Sequence, residues 1–171
     1  MSTDRFPIPG PWPGRLKVIL RPRGGDWLED EARAWRHEGI DVVVSLLEND
    51  EAAQLELMEE SEAARANGIR FISFPIPDRG VPASLPAALS LIGDIEAALE
   101  QGQTVGVHCR QSIGRAGLVA AGVLTASGIR PEEAIETVSG ARGLNVPETP
   151  EQRAWIQRLR SEEPALTPAQ L

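Results

Sequence analysis

The only cysteine of the chain, Cys109, lies six positions before an arginine, Arg115, and closes a short apolar stretch. The residues around this pair, Thr104 to Leu118, include three glycines and read as a strand, a tight loop and the start of a helix. A loop of this kind turns backbone N–H groups toward one point and binds anions. A thiol placed there is stabilised as the thiolate, which is the nucleophilic form of cysteine. The spacing therefore predicts a nucleophile that acts on an anionic group.

The pattern C-x5-R suits attack on phosphorus. Phosphoryl transfer needs a nucleophile in line with the leaving oxygen and positive charge around the equatorial oxygens. The loop residues predicted to wrap their N–H groups around one tetrahedral anion are Arg110, Gln111, Ser112, Ile113 and Gly114. Arg115 would complete the ring with a bidentate hydrogen bond. His108, next to the cysteine, is predicted to support the hydrogen-bond network behind the loop.

Strands and helices alternate along the chain. The predicted strands cover residues 16–20, 41–47, 69–74 and 104–107. The predicted helices cover residues 26–38, 50–67, 85–100, 118–125, 131–140 and 150–160. This alternation predicts one α/β domain over residues 1–171, with a mainly parallel central sheet of four to five strands flanked by helices.

The two ends and two helix starts complete the predicted organisation. Residues 1–14, with four prolines and two glycines, are expected to form an extended arm laid over the surface, and residues 161–171 a frayed tail. Asp26 with Glu29 resembles a capping box for the first helix, and Asn49 is predicted to cap the second.

Ligands of open α/β sheets bind outside the carboxyl ends of the strands. Cys109, Asp78 and the loop at Arg21 each follow the end of a predicted strand. We therefore expect these three segments at one rim of the sheet.

Composition narrows the function classes. A net charge of −8 and a pI near 4.8 argue against nucleic acid or an anionic membrane as the main partner. One cysteine and two histidines, His37 and His108, leave no pattern for a metal centre, so neither a metal nor a cofactor is expected. The N-terminal stretch has no apolar core of signal-peptide length, and no run approaches the length of a membrane span. A cytoplasmic, reducing compartment is the default expectation.

His108-Cys109 with Arg115, a strand before and a helix after, resembles the cysteine-dependent tyrosine and dual-specificity phosphatase superfamily. Pro75-Ile-Pro-Asp78 is similar to the general-acid loop of that superfamily. The segment from Asn145 to Gln152 is similar to the loop whose glutamine positions water in some members. The resemblance covers most of the chain and is greatest to compact bacterial dual-specificity-like forms and the cyclin-dependent-kinase-associated phosphatases.

The resemblance implies a metal-independent, two-step reaction on phosphotyrosine in a protein or peptide, with phosphoserine and phosphothreonine left open. Cys109 would attack phosphorus while protonated Asp78 donates to the departing oxygen. Asp78 would then act as base toward the water that hydrolyses the cysteinyl-phosphate. Arg115 and the loop amides would stabilise charge in both steps.

Two loop positions depart from the superfamily pattern. The residue after the arginine is usually Ser or Thr, whose hydroxyl stabilises the leaving thiolate, and here it is Ala116. The alanine leaves the speed of the second step open, but not the attack by Cys109. The third residue after the cysteine is often Gly and here is Ser112, which implies either backbone strain or a hydroxyl that joins the local network.

Other side chains have a plain structural interpretation. Gln152 can cap the last helix, with Thr149 three positions earlier, or position water. The arginines interpreted as ordinary solvated charges are Arg21, Arg23, Arg79 and Arg142. The tryptophans interpreted as packing residues are Trp12, Trp27, Trp35 and Trp155.

Three alternative functions stay open at this stage. They are a phosphoryl-binding module with little or no turnover, a rhodanese-like sulfurtransferase, and a phosphoinositide phosphatase. The loop contains no lysine and the chain is acidic, which favours a protein over a phosphoinositide substrate. The oligomeric state has no sequence signal.

Overall fold

One five-stranded sheet organises residues 5–162, the part of the chain that the computed structural model describes. The strands are β1 (Arg5–Ile8), β2 (Arg15–Ile19), β3 (Val42–Ser45), β4 (Arg70–Ser73) and β5 (Thr104–His108). Their order is β1-β2-β5-β3-β4, with β1 antiparallel to β2 and the other neighbours parallel. The predicted fold class, a mainly parallel sheet of four to five strands flanked by helices, is confirmed.

Alternate residues of the central strand β3 pack on opposite faces of the sheet. Val42 and Val44 belong to the larger apolar core, whereas Val43 belongs to a second core on the other face. This is the two-residue period of a strand. Because both faces are covered, the strand begins with three consecutive valines rather than an alternation of apolar and polar residues.

Helices cover both faces. They are α1 (Leu28–His37), α2 (Asn49–Gln54), α3 (Glu60–Ala66), α4 (Leu85–Glu100), α5 (Gly114–Ala126), α6 (Pro131–Arg142) and α7 (Pro150–Glu162). The smaller core, around Trp35, joins α1 and α3 to the sheet. Helix α5 lies within the larger core and contacts α4, α6 and α7, which explains why it is apolar on all sides.

The helix predicted at 85–100 is α4, whose first turn is capped by Ser84 through a hydrogen bond from the Ala87 N–H at 3.2 Å. The single helix predicted at 50–67 is wrong. The chain forms α2 and α3 instead, and Glu56 between them has a φ of 57°. A residue with positive φ cannot continue a right-handed helix, so the polar run is divided there.

Two predicted caps are also wrong. Helix α2 begins at Asn49 itself, so the cap position belongs to Glu48. Asp26 makes no capping hydrogen bond and lies in a short 3-10 turn, Gly25–Trp27, that precedes α1. Both caps were predicted from side-chain types alone, whereas the residue that caps a helix depends on where the backbone begins to turn.

The predicted N-terminal arm contains a strand that the sequence analysis did not predict. Arg5–Ile8 is extended as expected, but it pairs with β2 as an edge strand. Ile8 and Trp12 are 4% and 7% exposed and join the larger core, so this segment is part of the domain. Residues 161 and 162 lie in α7. Residues 1–4, and the remainder of the predicted tail at 163–171, lie outside the described residues.

The loops that follow the parallel strands are hydrogen-bonded to one another at the carboxyl rim of the sheet. The Leu46 N–H donates to the His108 carbonyl and the Ile76 N–H donates to the Leu46 carbonyl, both at 3.0 Å. The backbone pairing of β5, β3 and β4 therefore extends beyond the strands. It carries Asp78 and Cys109 to the same rim.

Candidate active site

The loop from Cys109 to Arg115 joins the end of β5 to the start of α5. Cys109 is 3% exposed, and α5 begins at Gly114. The first-turn N–H groups of a helix have no carbonyl partner within the helix and carry its positive dipole end. The loop therefore places the thiol beside a helix N-terminus, as an anion site requires.

Cys109, Arg115 and Asp78 line one cavity of about 110 Å³. The other side chains that line it are Arg79, Arg110, Gln111 and Glu148. The three residues predicted to carry the chemistry, two from the loop after β5 and one from the loop after β4, are thus brought together. Three of the predicted loop residues, Ser112, Ile113 and Gly114, do not line the cavity.

Arg115 is held from behind by a buried carboxylate. Its two terminal nitrogens donate to the two carboxylate oxygens of Glu51 at 2.7 and 2.9 Å, and one also donates to the Ile76 carbonyl at 2.9 Å. Burial acts to lower the pKa of the Arg115 guanidinium, but the hydrogen bonds to Glu51 and the charges of Cys109, Glu51 and Asp78 raise it overall. Arg115 is therefore fixed in orientation and permanently charged.

Glu51 responds to the same contacts in the opposite sense. Burial acts to raise the pKa of its carboxyl, but hydrogen bonds from Arg115 and from the Glu48 N–H, together with the charges of Arg115 and Arg110, lower that pKa overall. Glu51 is not among the site residues predicted from the sequence. It lies in a polar helical run whose composition gives no sign that one carboxylate faces inward.

Asp78 approaches the cavity from the loop after β4. Its Oδ1 lies 3.3 Å from Nη2 of Arg115, and its side chain is 59% exposed. A turn follows, in which Arg79 has a φ of 60° and the Gly80 N–H donates to the Pro77 carbonyl at 2.8 Å. The carboxylate is thus open to solvent on one side and faces the arginine on the other.

Ser112 occupies the left-handed region with a φ of 57°, which for a residue other than glycine costs roughly 1 kcal/mol. Its hydroxyl donates to the Ile19 carbonyl at the end of β2. Its carbonyl accepts a hydrogen bond from Arg142 Nε at 2.9 Å. The strain and the network contact considered for this serine are therefore both present.

The interpretation as an ordinary solvated charge is wrong for Arg142, whereas Arg21 is exposed as predicted but also contacts the loop. Arg142 contacts the loop at Ser112 and its guanidinium lies 4.0 Å from the centroid of the Phe6 ring. Burial lowers its pKa, an effect partly offset by the charge of Cys109. Arg21 donates from Nη1 to the Arg110 carbonyl. No local pattern in the sequence distinguishes these arginines from the exposed Arg79.

His108 is completely buried and paired with another carboxylate. Its Nε2 lies 2.5 Å from Glu60 Oε2, and its Nδ1 lies 3.3 Å from the Cys109 carbonyl oxygen. The exposed fractions of the two side chains are 0% and 3%. The pair connects α3 to the backbone of the cysteine, and Glu60 is a second inward-facing carboxylate that the sequence analysis missed.

Gln152 is buried and uses its side chain within the protein. Its Oε1 accepts from the N–H groups of Glu148 and Thr149 at 3.1 and 3.3 Å, and its own N–H donates to Thr149 Oγ1 at 3.1 Å. Its Nε2 donates to the Gly80 carbonyl at 3.0 Å. Gln152 therefore caps α7 and also connects it to the loop that carries Asp78, while its contact with water stays a prediction.

Gly114 permits a close approach of this cap to the loop. A Cβ at that position would lie 2.7 Å from Glu148 Oε1 and 3.0 Å from Gln152 Oε1. A larger residue would push the 148–152 segment away from the start of α5. The glycine is needed here for space, because its φ is not positive.

Between residues 5 and 162 no group of three or more His, Cys, Asp or Glu is arranged to hold a metal ion. None of the helices in that part of the chain is both long and apolar enough to cross a membrane.

Comparison with protein families gives a match over residues 19–129, to the family described as "Polymorphic toxin system, DSP-PTPase phosphatase". This stretch is more than half of the chain and contains Asp78 and the entire loop from Cys109 to Arg115. A curated relative, cyclin-dependent kinase inhibitor 3 of Sus scrofa, is 28% identical over 88 residues. That alignment covers 50% of this chain and 41% of the relative, so the chain matches less than half of the relative's length.

Solved structures share the fold. The kinase-associated phosphatase with its catalytic cysteine replaced by serine superposes with a TM-score of 0.80 at 20% identity, covering 86% of each chain. Tk-PTP in its active form superposes with a TM-score of 0.77 at 27% identity, covering 95% of this chain and 99% of that one. A putative protein tyrosine phosphatase from Leishmania major superposes with a TM-score of 0.73 at 19% identity, covering 91% of this chain and 98% of that one.

Proposed function

Because the chain belongs to the DSP-PTPase phosphatase family, we propose that it hydrolyses phosphotyrosine in protein substrates through a cysteinyl-phosphate intermediate. The observation that carries the proposal is the single cavity lined by Cys109, Arg115 and Asp78. The names of similar proteins, a kinase-associated phosphatase and a protein tyrosine phosphatase, support a phosphorylated protein as substrate. The family match favours none of the three alternatives: a binding module, a sulfurtransferase or a phosphoinositide phosphatase.

In the first step the Cys109 thiolate attacks phosphorus and the bond to the substrate oxygen breaks. Arg115, held by Glu51 with its charge directed at the cavity, would bind two equatorial oxygens of the phosphoryl group. A bound dianion replaces Asp78 as the partner of Arg115. The protonated Asp78 then donates to the departing oxygen.

In the second step water attacks the cysteinyl-phosphate and the thiolate leaves. Asp78, now ionised, accepts a proton from that water. Arg115, the loop amides and the first turn of α5 stabilise the charge on the phosphate in both steps, and the mechanism invokes no metal. Gln152 helps by holding the Asp78 loop through Gly80.

The test is hydrolysis of para-nitrophenyl phosphate. Cys109→Ser should abolish turnover. Asp78→Asn should lower kcat by about 10²-fold to 10⁴-fold, the range of general acid–base catalysis, because the second step loses its base even though nitrophenolate leaves without an acid. Asp94→Asn is the matched control, because Asp94 is an exposed aspartate whose nearest recorded partner is Arg70 at 3.9 Å. Full activity in Cys109→Ser would exclude the mechanism.

The substrate range is tested with two peptides that differ only in the phosphorylated residue. A phosphotyrosine peptide should be hydrolysed with the higher kcat/KM, because its aryl oxygen is the better leaving group. Comparable kcat/KM for a phosphoserine or phosphothreonine peptide would establish dual specificity. Hydrolysis of the phosphoserine peptide alone would contradict the assignment to phosphotyrosine.

A further inference from the structure

A second cavity, of about 480 Å³, adjoins the active-site cavity. Arg110 and Gln111, which follow Cys109 in the loop, line both cavities, so the two cavities meet at these residues. Its other wall comes from the segment after β2 and the turn before α1, including Arg21, Arg23 and Trp27. We call this cavity the flanking groove.

The flanking groove is basic although the protein is acidic. Three arginines, Arg21, Arg23 and Arg110, line it with a single carboxylate, Glu56. The chain as a whole has a net charge of −8. Arg21 is oriented by its hydrogen bond to the Arg110 carbonyl, and Arg23 is 59% exposed although it also pairs with Glu31 at 2.7 Å. A local excess of positive charge on an acidic molecule selects an acidic ligand at this place.

The flanking groove also presents apolar surface to solvent. Among the described residues four large hydrophobic side chains are exposed, and two of them, Trp27 at 51% and Leu20 at 37%, line this groove. The Arg23 guanidinium lies 4.0 Å from the centroid of the Trp27 ring. This corrects the interpretation of Trp27 as a packing residue. An aromatic ring stacked by arginine beside a charged groove is a typical composition of protein-binding surfaces.

We propose that the flanking groove binds an acidic stretch of the substrate polypeptide next to the phosphorylated residue. Carboxylates of that stretch contact Arg21 and Arg23, and an apolar side chain packs on Trp27. The inference rests on the proposed phosphatase function and specifies its substrate class. A polypeptide fits both features, since it can supply carboxylates and apolar side chains within a few residues.

The experiment compares two phosphopeptides with the same phosphorylated residue. One has Glu, Asp and Leu beside it, and the other has Gln, Asn and Ala. The acidic peptide should have about a tenfold higher kcat/KM, and added salt should reduce that preference. In Arg23→Gln and in Trp27→Ala the preference should fall about threefold to fivefold, the effect of one exposed charge pair or one partly exposed aromatic contact.

Arg33→Gln is the matched control, because it also removes one positive charge from an exposed arginine. Arg33 lies on α1, does not line the flanking groove and pairs with Asp30 at 3.0 Å. Arg33→Gln should leave the peptide preference unchanged. Equal kcat/KM for the two peptides, or a preference that survives both Arg23→Gln and Trp27→Ala, would overturn the proposal. Faster, Arg23-dependent turnover of phosphoinositide vesicles without a peptide preference would overturn it in favour of a lipid.

Two readouts separate this proposal from the proposed function. Para-nitrophenyl phosphate is too small to reach the flanking groove, so its hydrolysis tests only the proposed phosphatase function. If it is hydrolysed but the two peptides have equal kcat/KM, the phosphatase function stands and only the proposal for the flanking groove is refuted. If nothing is hydrolysed, calorimetric binding of the same peptides to Cys109→Ser still tests the groove. Tighter binding of the acidic peptide would support the groove, and equal binding would refute it.

Discussion

Arg115 connects the anion site to two other segments of the protein. Its guanidinium contacts Glu51 on α2, the Ile76 carbonyl in the loop after β4, and Asp78 at the cavity. A side chain held on two sides loses little further freedom when it binds a phosphoryl group. The orientation of this one residue therefore depends on contacts with α2 and with the loop after β4.

The position of Ala116, directly after Arg115, leads to a prediction about the second step of the proposed reaction. We expect wild-type enzyme to release nitrophenolate in a burst and then turn over slowly, because no hydroxyl stabilises the leaving thiolate. Ala116→Ser should raise the steady-state rate about tenfold, the effect of one hydrogen bond to a charged group worth about 1.5 kcal/mol. Rapid-mixing kinetics would measure both phases.

The matched control is Ala120→Ser, which adds a hydroxyl to the same helix one turn further on at a residue that is also fully buried. It should give no gain in rate. A wild-type time course without a burst, or an Ala116→Ser rate equal to that of wild type, would contradict the role assigned to this position.

Glu60 stabilises the fold through His108. Removing one partner of a buried pair leaves the other without compensation, which costs about 3 kcal/mol. Glu60→Ala should lower the free energy of unfolding by roughly this amount in urea titrations. Glu62→Ala, on the exposed side of the same helix, should change it by less than about 0.5 kcal/mol. Equal unfolding midpoints for the two variants would show that the pair is not stabilising.

At the scale of elements, the site is assembled from loops that extend the sheet. Leu46 and Ile76 continue the backbone pairing beyond β3 and β4, and Arg115 donates to the Ile76 carbonyl. Gln152 connects α7 to the loop at Gly80. Helix α2 is joined to this arrangement by Glu51, so the short helix after β3 is part of the site.

The contact between α2 and the loop should be visible in the pH dependence of stability. The pKa of Glu51 is lower in the folded protein than its ordinary value of 4.5. The stabilisation it provides is therefore complete above about pH 4.5 and is lost as the pH falls through the folded-state pKa. Glu51→Gln should be less stable than wild type by about 3 kcal/mol at neutral pH, and the difference should shrink below pH 4.5.

Urea titrations of wild type and Glu51→Gln between pH 3 and 7 would measure this difference, at roughly unit intervals that span the titration range of a carboxyl. Glu133→Gln serves as the control, since Glu133 pairs with Arg130 on the surface and both are largely exposed. The free energy of unfolding of Glu133→Gln should differ from that of wild type by about zero at every pH. A Glu51→Gln difference that does not vary with pH would contradict the ion pair.

At the scale of the whole molecule, the features that could be predicted are those with local signals. The cysteine loop lies between an apolar strand and an apolar helix, and α4 has a serine cap and a wide apolar stripe. Asp78 could be placed because strand ends meet at one rim of a parallel sheet. These signals depend on neighbours within a few residues, which the sequence displays directly.

The features that could not be predicted depend on contacts between distant residues. Glu51 and Glu60 are buried only because Arg115 and His108, 64 and 48 positions later, come to meet them. Strand β1 lies in a proline-rich segment that has no strand signal of its own and forms by pairing with β2. Arg21 and Arg142 contact the loop across the fold. The sequence neighbours of these residues carry no sign of such contacts.

The central claim is that Cys109 carries the phosphoryl group between the two steps. The most direct measurement is mass spectrometry of the Asp78→Asn variant, quenched with acid during turnover of para-nitrophenyl phosphate. This substrate has a good leaving group, so the first step proceeds without the acid while the second step lacks its base. We predict a phosphate on Cys109 in near-stoichiometric amount. Its absence there, or its presence on another residue, would contradict the mechanism.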